Sequence, residues 1–470
     1  MKFSQFSLAI FAVLAIGVSG CSKSKDQTIT EVVYSEQKAQ KLIDEGKPLE
    51  AATEYTNIAE LLFTPEGIQH ADSLLDRALM LDASNPKANF LSAFVKIVLV
   101  TKHLEHRMAP LREIGGTLND IPAQIYYEHS KLRKAVRGFQ SQSAYSQFVK
   151  QSSDSVSQFK NYLDLQEHLK TVVLPVLEQG TAKLEKVLAS GAKFDVRVDN
   201  GAWGANEYSN HDYSHSTYCY QNGGHWRCNY YVYSYYLEKP VAAQRLTADS
   251  NDLRVILGGL RAMTDSVRLS LAYSFEGLDR VIKEVVRVQK NRERFAKKFS
   301  HLRAIDRNIS TRQLVEILRS EPKFLSLTDE TQLSKIPYNS ERIMREILDL
   351  GAMERELCGS ETRRMTHLVA SVCFTGNAVA LATRNLEMLA GPSRVRIGYD
   401  EIGEPVEILM DVTALFRDPS RDLKSLLPNK FNRKGHAISY PDPTMGGLFP
   451  DGDLIERLKV IDAPGVSHID

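Results

Sequence analysis

The chain has 470 residues, of which 43% are hydrophobic and 25% charged, and 59 basic against 58 acidic side chains leave a formal net charge of +1. This composition is that of a folded globular protein and excludes an intrinsically disordered chain. With no overall basic field, we expect no nucleic-acid partner. The length allows two or three domains with substantial cores.

The N-terminus has the pattern of an export signal. Lys2 is the only charge among the first twenty residues, and an apolar run follows from Phe6 to Val18. A positive start before so short a run is typical of a secretory signal peptide, whereas a membrane-spanning helix needs about 20 apolar residues. The run ends in Val18-Ser19-Gly20-Cys21, which resembles the bacterial lipobox. That resemblance implies cleavage after Gly20 and acylation of Cys21.

Several acyl chains hold a protein almost permanently on a membrane, so the lipobox implies a membrane partner through the N-terminal lipid. We predict a signal peptide over residues 1–20, a lipidated tether over 21–34 and a place in the cell envelope. Ser22 stands where an Asp would resemble an inner-membrane retention signal. The outer membrane is therefore favoured, and whether the protein faces the periplasm or the surface stays open.

Residues 35–200 are expected to be mainly helical. Small and apolar residues fall at helical spacing in two stretches: Ala51, Ala52, Tyr55, Ala59; and Ala71, Leu74, Leu75, Ala78. Segments 46–51 and 78–88 resemble the turns of tetratricopeptide repeats, which implies a protein-interaction scaffold and assigns no chemistry. The spacing departs from that family, because Ala51 and Ala71 are 20 residues apart and not about 34. Helical hairpins that merely echo the repeat are the alternative.

The rest of the chain is predicted to be a second helical region over 239–390 and a β-hairpin and loop-rich C-terminal wrap over 391–470. Helices are expected near 249–273 and 277–301, and strands at 194–198, 394–399 and 405–410. The predicted fold class is mainly α, a tetratricopeptide-like solenoid or bundle with a small β-hairpin excursion.

That excursion, residues 201–238, has an unusual composition. Between 203 and 236 lie nine tyrosines, both tryptophans, three histidines and two cysteines. If Gly223-Gly224 form a two-residue turn, Cys219 stands opposite Cys228 in a non-hydrogen-bonded pair. Side chains come closest in such pairs, as a disulfide requires. We therefore predict a hairpin closed by a Cys219–Cys228 disulfide.

The same register predicts a tyrosine face on the hairpin, made of Tyr218, Tyr220, Tyr231, Tyr233 and Tyr235. Tyrosine rings stack on apolar sugar faces and pack against proteins, while their hydroxyls form hydrogen bonds. The face is therefore a possible platform for a protein or an envelope glycan. It could instead pack down on the helices or belong to a mobile loop.

Metal binding is the rival interpretation of this segment. Ligand types suited to zinc occur at His211, His215, Cys219, His225 and Cys228. The eight-residue gap between the cysteines is not the short clip of a zinc site, and an oxidising compartment favours the disulfide. We predict no metal and no cofactor. For Cys358 and Cys373, a second disulfide and a buried free thiol both stay open.

A further segment, 280–303, carries nine basic residues, and only Glu284 and Glu293 interrupt them. Anionic lipid or lipopolysaccharide could bind there, and a solvated outer face is the alternative.

The common hydrolase, metalloprotease and nucleotide-binding motifs are missing from the sequence. The leading hypothesis is a membrane-anchored envelope lipoprotein that acts as a non-enzymatic scaffold for a protein or envelope component. One alternative is a carbohydrate-binding or carbohydrate-processing lipoprotein that uses the aromatic hairpin. The other is a metalloprotein built on the His/Cys cluster 211–228.

Overall fold

A computed structural model describes residues 25–114, 144–153, 155–199, 202–203, 206–222, 225–240, 243–298, 309–353, 367–369, 376–400, 402–432 and 437–461. The chain is mainly helical with small two-stranded antiparallel sheets, which confirms the predicted fold class. The predictions for Cys21, Gly223-Gly224, Cys358 and Cys373 lie outside the described residues. Within these ranges, no helix combines the length and apolar character needed to cross a bilayer.

Four helices open the fold: α1 (Lys25–Asp44), α2 (Pro48–Leu61), α3 (Ile68–Leu81) and α4 (Pro86–Val100). Gly46 takes a positive φ of 75° in the turn after α1, and a proline opens α2. At α4 the Asn85 side chain accepts a 2.9 Å hydrogen bond from the Ala88 amide. These caps explain why the turns fall where the sequence places them.

Helix α1 begins at Lys25, within the stretch that the sequence analysis assigns to the lipidated tether. Val32 is 6% exposed and Ala39 fully buried in the same core as α2 and α3. Among the residues of α1 whose burial is described, contacts with the core begin at Val32.

The chain continues through α5 (Leu104–Ile114), α6 (Ala144–Lys150), α7 (Tyr162–His168), a π-helical turn (Leu169–Val173) and α8 (Leu174–Ala189). Four strands follow: β1 (Phe194–Val198), β2 (Asn206–Asn222), β3 (His225–Pro240) and β4 (Gln244–Ala248). Further helices are α9 (Ser250–Ala272), α10 (Leu278–Lys298), α11 (Thr311–Ser320), α12 (Glu330–Ser334), α13 (Ile336–Met353) and α14 (Gly376–Ala390). The strand predicted at 194–198 and the helix predicted at 249–273 are confirmed within a residue.

Eight of these helices pack side by side in a row that follows chain order: α1, α2, α3, α4, α8, α9, α13 and α14. Gly180 of α8 lies at the centre of the row, where a Cβ would lie 3.4 Å from Leu260 of α9 and 3.5 Å from Ile97 of α4, which are ordinary contact distances. Helices α8 and α9 join the two predicted helical regions in one row.

The C-terminal part contains β5 (Ser393–Tyr399), β6 (Pro405–Met410), α15 (Ala414–Arg417), β7 (Lys430–Phe431), β8 (Ala437–Ser439) and α16 (Leu454–Ile461). The predicted hairpin of β5 and β6 is confirmed. Lys424 is 6% exposed and donates to the carbonyls of Glu321, Pro322 and Phe324 at 2.5–2.8 Å. This buried lysine fastens the C-terminal segment to the chain that follows α11.

Candidate functional site: the aromatic ribbon and its base

A long antiparallel ribbon is inserted between two neighbouring helices of the row. Strands β2 and β3 form the ribbon, and β1 pairs with β4 at its base, so the chain leaves α8 and returns to α9 side by side. Sixteen residues at about 3.3 Å each make the ribbon about 50 Å long. Within the described part of the chain, its two strands lie against each other and not along any helix.

The strand pairing agrees with the register predicted from a Gly223-Gly224 turn. Cys219 pairs with Cys228, and the neighbouring pair Tyr220 with Arg227 keeps the same register. The side chains of these strands lie outside the described part of the structure, so the disulfide stays a prediction. An isolated two-stranded hairpin is marginally stable in water, so a cross-link at this position would supply stability that pairing alone does not.

The five positions of the predicted tyrosine face are placed by the same register. Positions 218 and 220 of β2 lie on one face of the ribbon with positions 231, 233 and 235 of β3, and Cys219 and Cys228 occupy the other face. The pairing shifts by one residue between Asn210 and Tyr213, opposite the stretch of β3 that contains Tyr235. Tyr235 keeps its place with positions 231 and 233 through the two-residue period of its own strand.

Trp203 anchors the ribbon to the helical body. Its indole Nε1–H donates a 3.0 Å hydrogen bond to the Phe63 carbonyl at the end of α2. Its ring lies 5.8 Å from the Phe63 ring and 5.5 Å from the Phe148 ring of α6. At 8% exposure, this side chain joins two helices to the chain that leads into β2.

A buried carboxylate fixes the other side of the base. Glu60 of α2 is 5% exposed, and its Oε1 accepts from the Arg197 amide at 2.6 Å and pairs with the Lys87 ammonium at 2.9 Å. This contact holds β1 against α2. Farther along, the Leu368 amide donates to the Thr247 carbonyl at 2.9 Å, which adds residues 367–369 to the edge of β4.

No family model, curated protein or solved structure matches this chain. In the ranges that the structure describes, no three His, Cys, Asp or Glu side chains gather as a metal site. The rival cluster, made of His211, His215, Cys219, His225 and Cys228, lies on the ribbon, where side chains are not described. What the ribbon can bind must therefore be inferred from its backbone geometry and from the contacts at its base.

A group of buried charged side chains lies in the middle of the row. The sequence analysis did not predict it. Arg261 of α9 is fully buried and donates to Glu346 of α13 at 2.5 Å and to Glu185 of α8 at 2.8 Å. Two turns farther along α9, Arg268 donates to Glu178 of α8 at 2.8 Å. We call this set the charged seam, made of Glu178, Glu185, Arg261, Asp265, Arg268, Asn339, Arg342 and Glu346.

Asp265 is the seam's carboxylic acid with the most altered titration. Burial raises its pKa from 3.8 to about 6, against the opposing effects of Asn339, Arg268 and Arg261. Its Oδ1 accepts from the Asn339 amide at 2.8 Å and from Arg268 at 3.3 Å, while Oδ2 has no hydrogen-bond partner among the described residues. Burial also raises the pKa of Glu346.

This titration predicts a pH-dependent stability. The folded state binds the Asp265 proton more tightly than the unfolded chain does. Stability from this group is therefore fully present below the unfolded pKa of 3.8 and is lost as the pH rises from there through about 6. Two pKa units correspond to about 3 kcal/mol. We expect Asp265→Asn to remove this fall, as measured by urea unfolding at half-unit pH steps. A variant that keeps the fall of the unmodified protein would contradict the assignment.

Ser92 of α4 and Lys183 of α8 resemble a nucleophile and its base. The Lys183 Nζ lies 2.6 Å from the Ser92 hydroxyl, and burial, with nearby Lys96, lowers the pKa of Lys183. A serine–lysine pair can attack a carbonyl if substrate reaches the hydroxyl. Ser92 is 0% exposed in the middle of a packed helix, so the pair joins α4 to α8 and offers no access to a substrate.

Proposed function

We propose that this protein is a lipid-anchored, non-enzymatic scaffold of the bacterial cell envelope, and that its ribbon binds a protein or envelope component. The observation that supports this most is the placement of the ribbon. It interrupts the row between two helices that pack on each other, and buried contacts of Trp203 and Glu60 hold its base. A long two-stranded ribbon needs a covering surface or a cross-link to be stable, which a bound partner would provide in part.

The anchor rests on the lipobox-like Val18-Ser19-Gly20-Cys21. With acyl chains on Cys21, the body would stand on a membrane and present the ribbon to other envelope molecules. The row of helices supports a scaffold role, since side-by-side helical hairpins build extended surfaces for partners.

The proposal is tested in the bacterial host with the full chain and an envelope crosslinker. The unmodified protein is expected in the membrane fraction with a crosslinked partner. Cys21→Ser is expected to lose the acyl chains and to be released by a high-salt wash that leaves the unmodified protein on the membrane. The double variant Tyr231→Ala/Tyr233→Ala is expected to stay there but lose the partner. Fractionation and mass spectrometry of crosslinked bands measure the two effects separately.

The matched control removes two exposed tyrosines of the body, Tyr34→Ala/Tyr338→Ala, whose side chains are 70% and 62% exposed. It is expected to keep both the membrane association and the partner. A partner retained by the Tyr231/Tyr233 variant would refute the role of the tyrosine face. If the double variant instead loses binding on a glycan array, the partner is a carbohydrate.

A further inference from the structure

The exposed face of α10 is basic along its whole length. The helix has eight Lys and Arg side chains against three Asp and Glu. Six of the eight recur three or four residues apart and all are exposed; we call them the basic stripe: Arg280, Lys283, Arg287, Lys290, Arg294 and Lys298. This spacing places them on one face of the helix.

The opposite face of α10 is buried against the protein, so the basic stripe faces solvent. Val281 is 5% exposed and packs with Ile317 and Phe324 of the α11 segment, and Val285 and Val288 lie against the same cluster. The apolar side of α10 is therefore not available to sink into a bilayer, as it would be in a free amphipathic helix. The helix offers a partner only its charged side.

Members of the stripe also make contacts within the protein: Lys290 and Lys298 each have a partner, and two others pair with carboxylates. Arg280 forms a two-pronged contact with Glu321, at 2.7 and 2.5 Å, and Arg287 pairs with Glu284. The positive excess of α10 survives these pairs. None of the exposed positions among the described residues of α10 carries an acidic side chain.

The shape of the stripe favours a flat, uniformly anionic partner. Eighteen residues at 1.5 Å each extend it over about 27 Å of one helix, so a planar surface can meet all six cations together. Phe295, which flanks the stripe, is 55% exposed, and aromatic rings are favoured at the bilayer–water interface.

We propose that the basic stripe of α10 docks the protein onto a bilayer that contains anionic phospholipid. Docking orients the helical row on the membrane and needs no acyl chain, so this inference goes beyond the proposed function and does not depend on it.

The test is vesicle co-sedimentation of the full chain carrying Cys21→Ser, so that no lipid anchor contributes. Vesicles of phosphatidylcholine alone give the baseline for any apolar segment, and vesicles that also contain phosphatidylglycerol measure the charge-dependent part. We expect binding to the anionic vesicles that is lost in high salt. Each Lys or Arg near an anionic surface changes affinity about fivefold, so Lys283→Gln/Lys290→Gln/Arg294→Gln/Lys298→Gln is expected to bind several hundred-fold more weakly, as an order of magnitude.

These four substitutions leave the Arg280–Glu321 and Arg287–Glu284 pairs in place. The control removes the same charge from exposed positions elsewhere, Lys41→Gln/Arg77→Gln/Arg312→Gln/Arg345→Gln, and is expected to keep binding. Circular dichroism checks that both variants are folded. The salt titration uses the unmodified stripe, so it tests the proposal even if a variant does not fold. Equal binding to neutral and anionic vesicles, equal loss in both variants, or binding only to acidic proteins or nucleic acid would each overturn the proposal.

Discussion

Replacing Arg261 with methionine is expected to lower the free energy of unfolding by about 3–5 kcal/mol. The guanidinium is fully buried and pairs with Glu346 and Glu185, whose side chains are 13% and 33% exposed. Methionine fills much of the same volume but leaves the Glu346 carboxylate without its partner in a desolvated position. Urea unfolding followed by circular dichroism measures the loss.

Arg254 provides a matched control on the same helix. It pairs with Asp349 of α13 at 3.0 Å, but the two side chains are 26% and 57% exposed. Because water screens such a pair, Arg254→Met is expected to cost at most about 1 kcal/mol. Adding Glu346→Gln to Arg261→Met should recover part of the loss, since it removes the buried unpaired charge. Equal effects of Arg261→Met and Arg254→Met would show that burial does not strengthen the seam.

Replacing Trp203 with alanine is expected to lower the free energy of unfolding by about 3–5 kcal/mol, the range for a buried tryptophan. This loss is independent of that at Arg261. The substitution removes ring contacts with Phe63 and Phe148 and leaves the Phe63 carbonyl without its indole donor. Circular dichroism in urea measures the effect without relying on tryptophan fluorescence.

Trp203→Phe separates the two contributions. Phenylalanine keeps most of the ring packing and loses only the hydrogen bond, so we expect a smaller loss of about 1–3 kcal/mol. If Trp203→Ala changes the free energy of unfolding by less than about 1 kcal/mol, the base of the ribbon is not anchored through this side chain.

Local patterns were enough to predict much of the fold. Helix α9 was predicted over 249–273 and spans Ser250–Ala272, where Asp249 and Asp252 form a capping box. The register of the ribbon followed from one glycine pair and the two-residue period of a strand, and Cys219 stands opposite Cys228 in the strand pairing. Turn chemistry and periodicity act between near neighbours, which is why a single sequence contains them.

The charged seam could not be predicted in this way. Arg261 and Glu185 are 76 residues apart in the chain, and on its own helix each looks like an ordinary polar residue. A signal was present in the seven-residue spacing of Arg254, Arg261 and Arg268 beside the apolar face of α9, which matches Glu178 and Glu185 on α8. Reading it requires knowing that α8 and α9 are neighbours, which only packing decides.

The placement of the ribbon also has a consequence for how this protein can diversify. Asn206 and Pro240 face each other as the first pair of the ribbon, and Val198 and Gln244 close the pair of strands beneath. Residue pairs added or removed above Asn206 leave the separation of α8 and α9 unchanged. The length and composition of this arm can therefore change without moving the helices of the row.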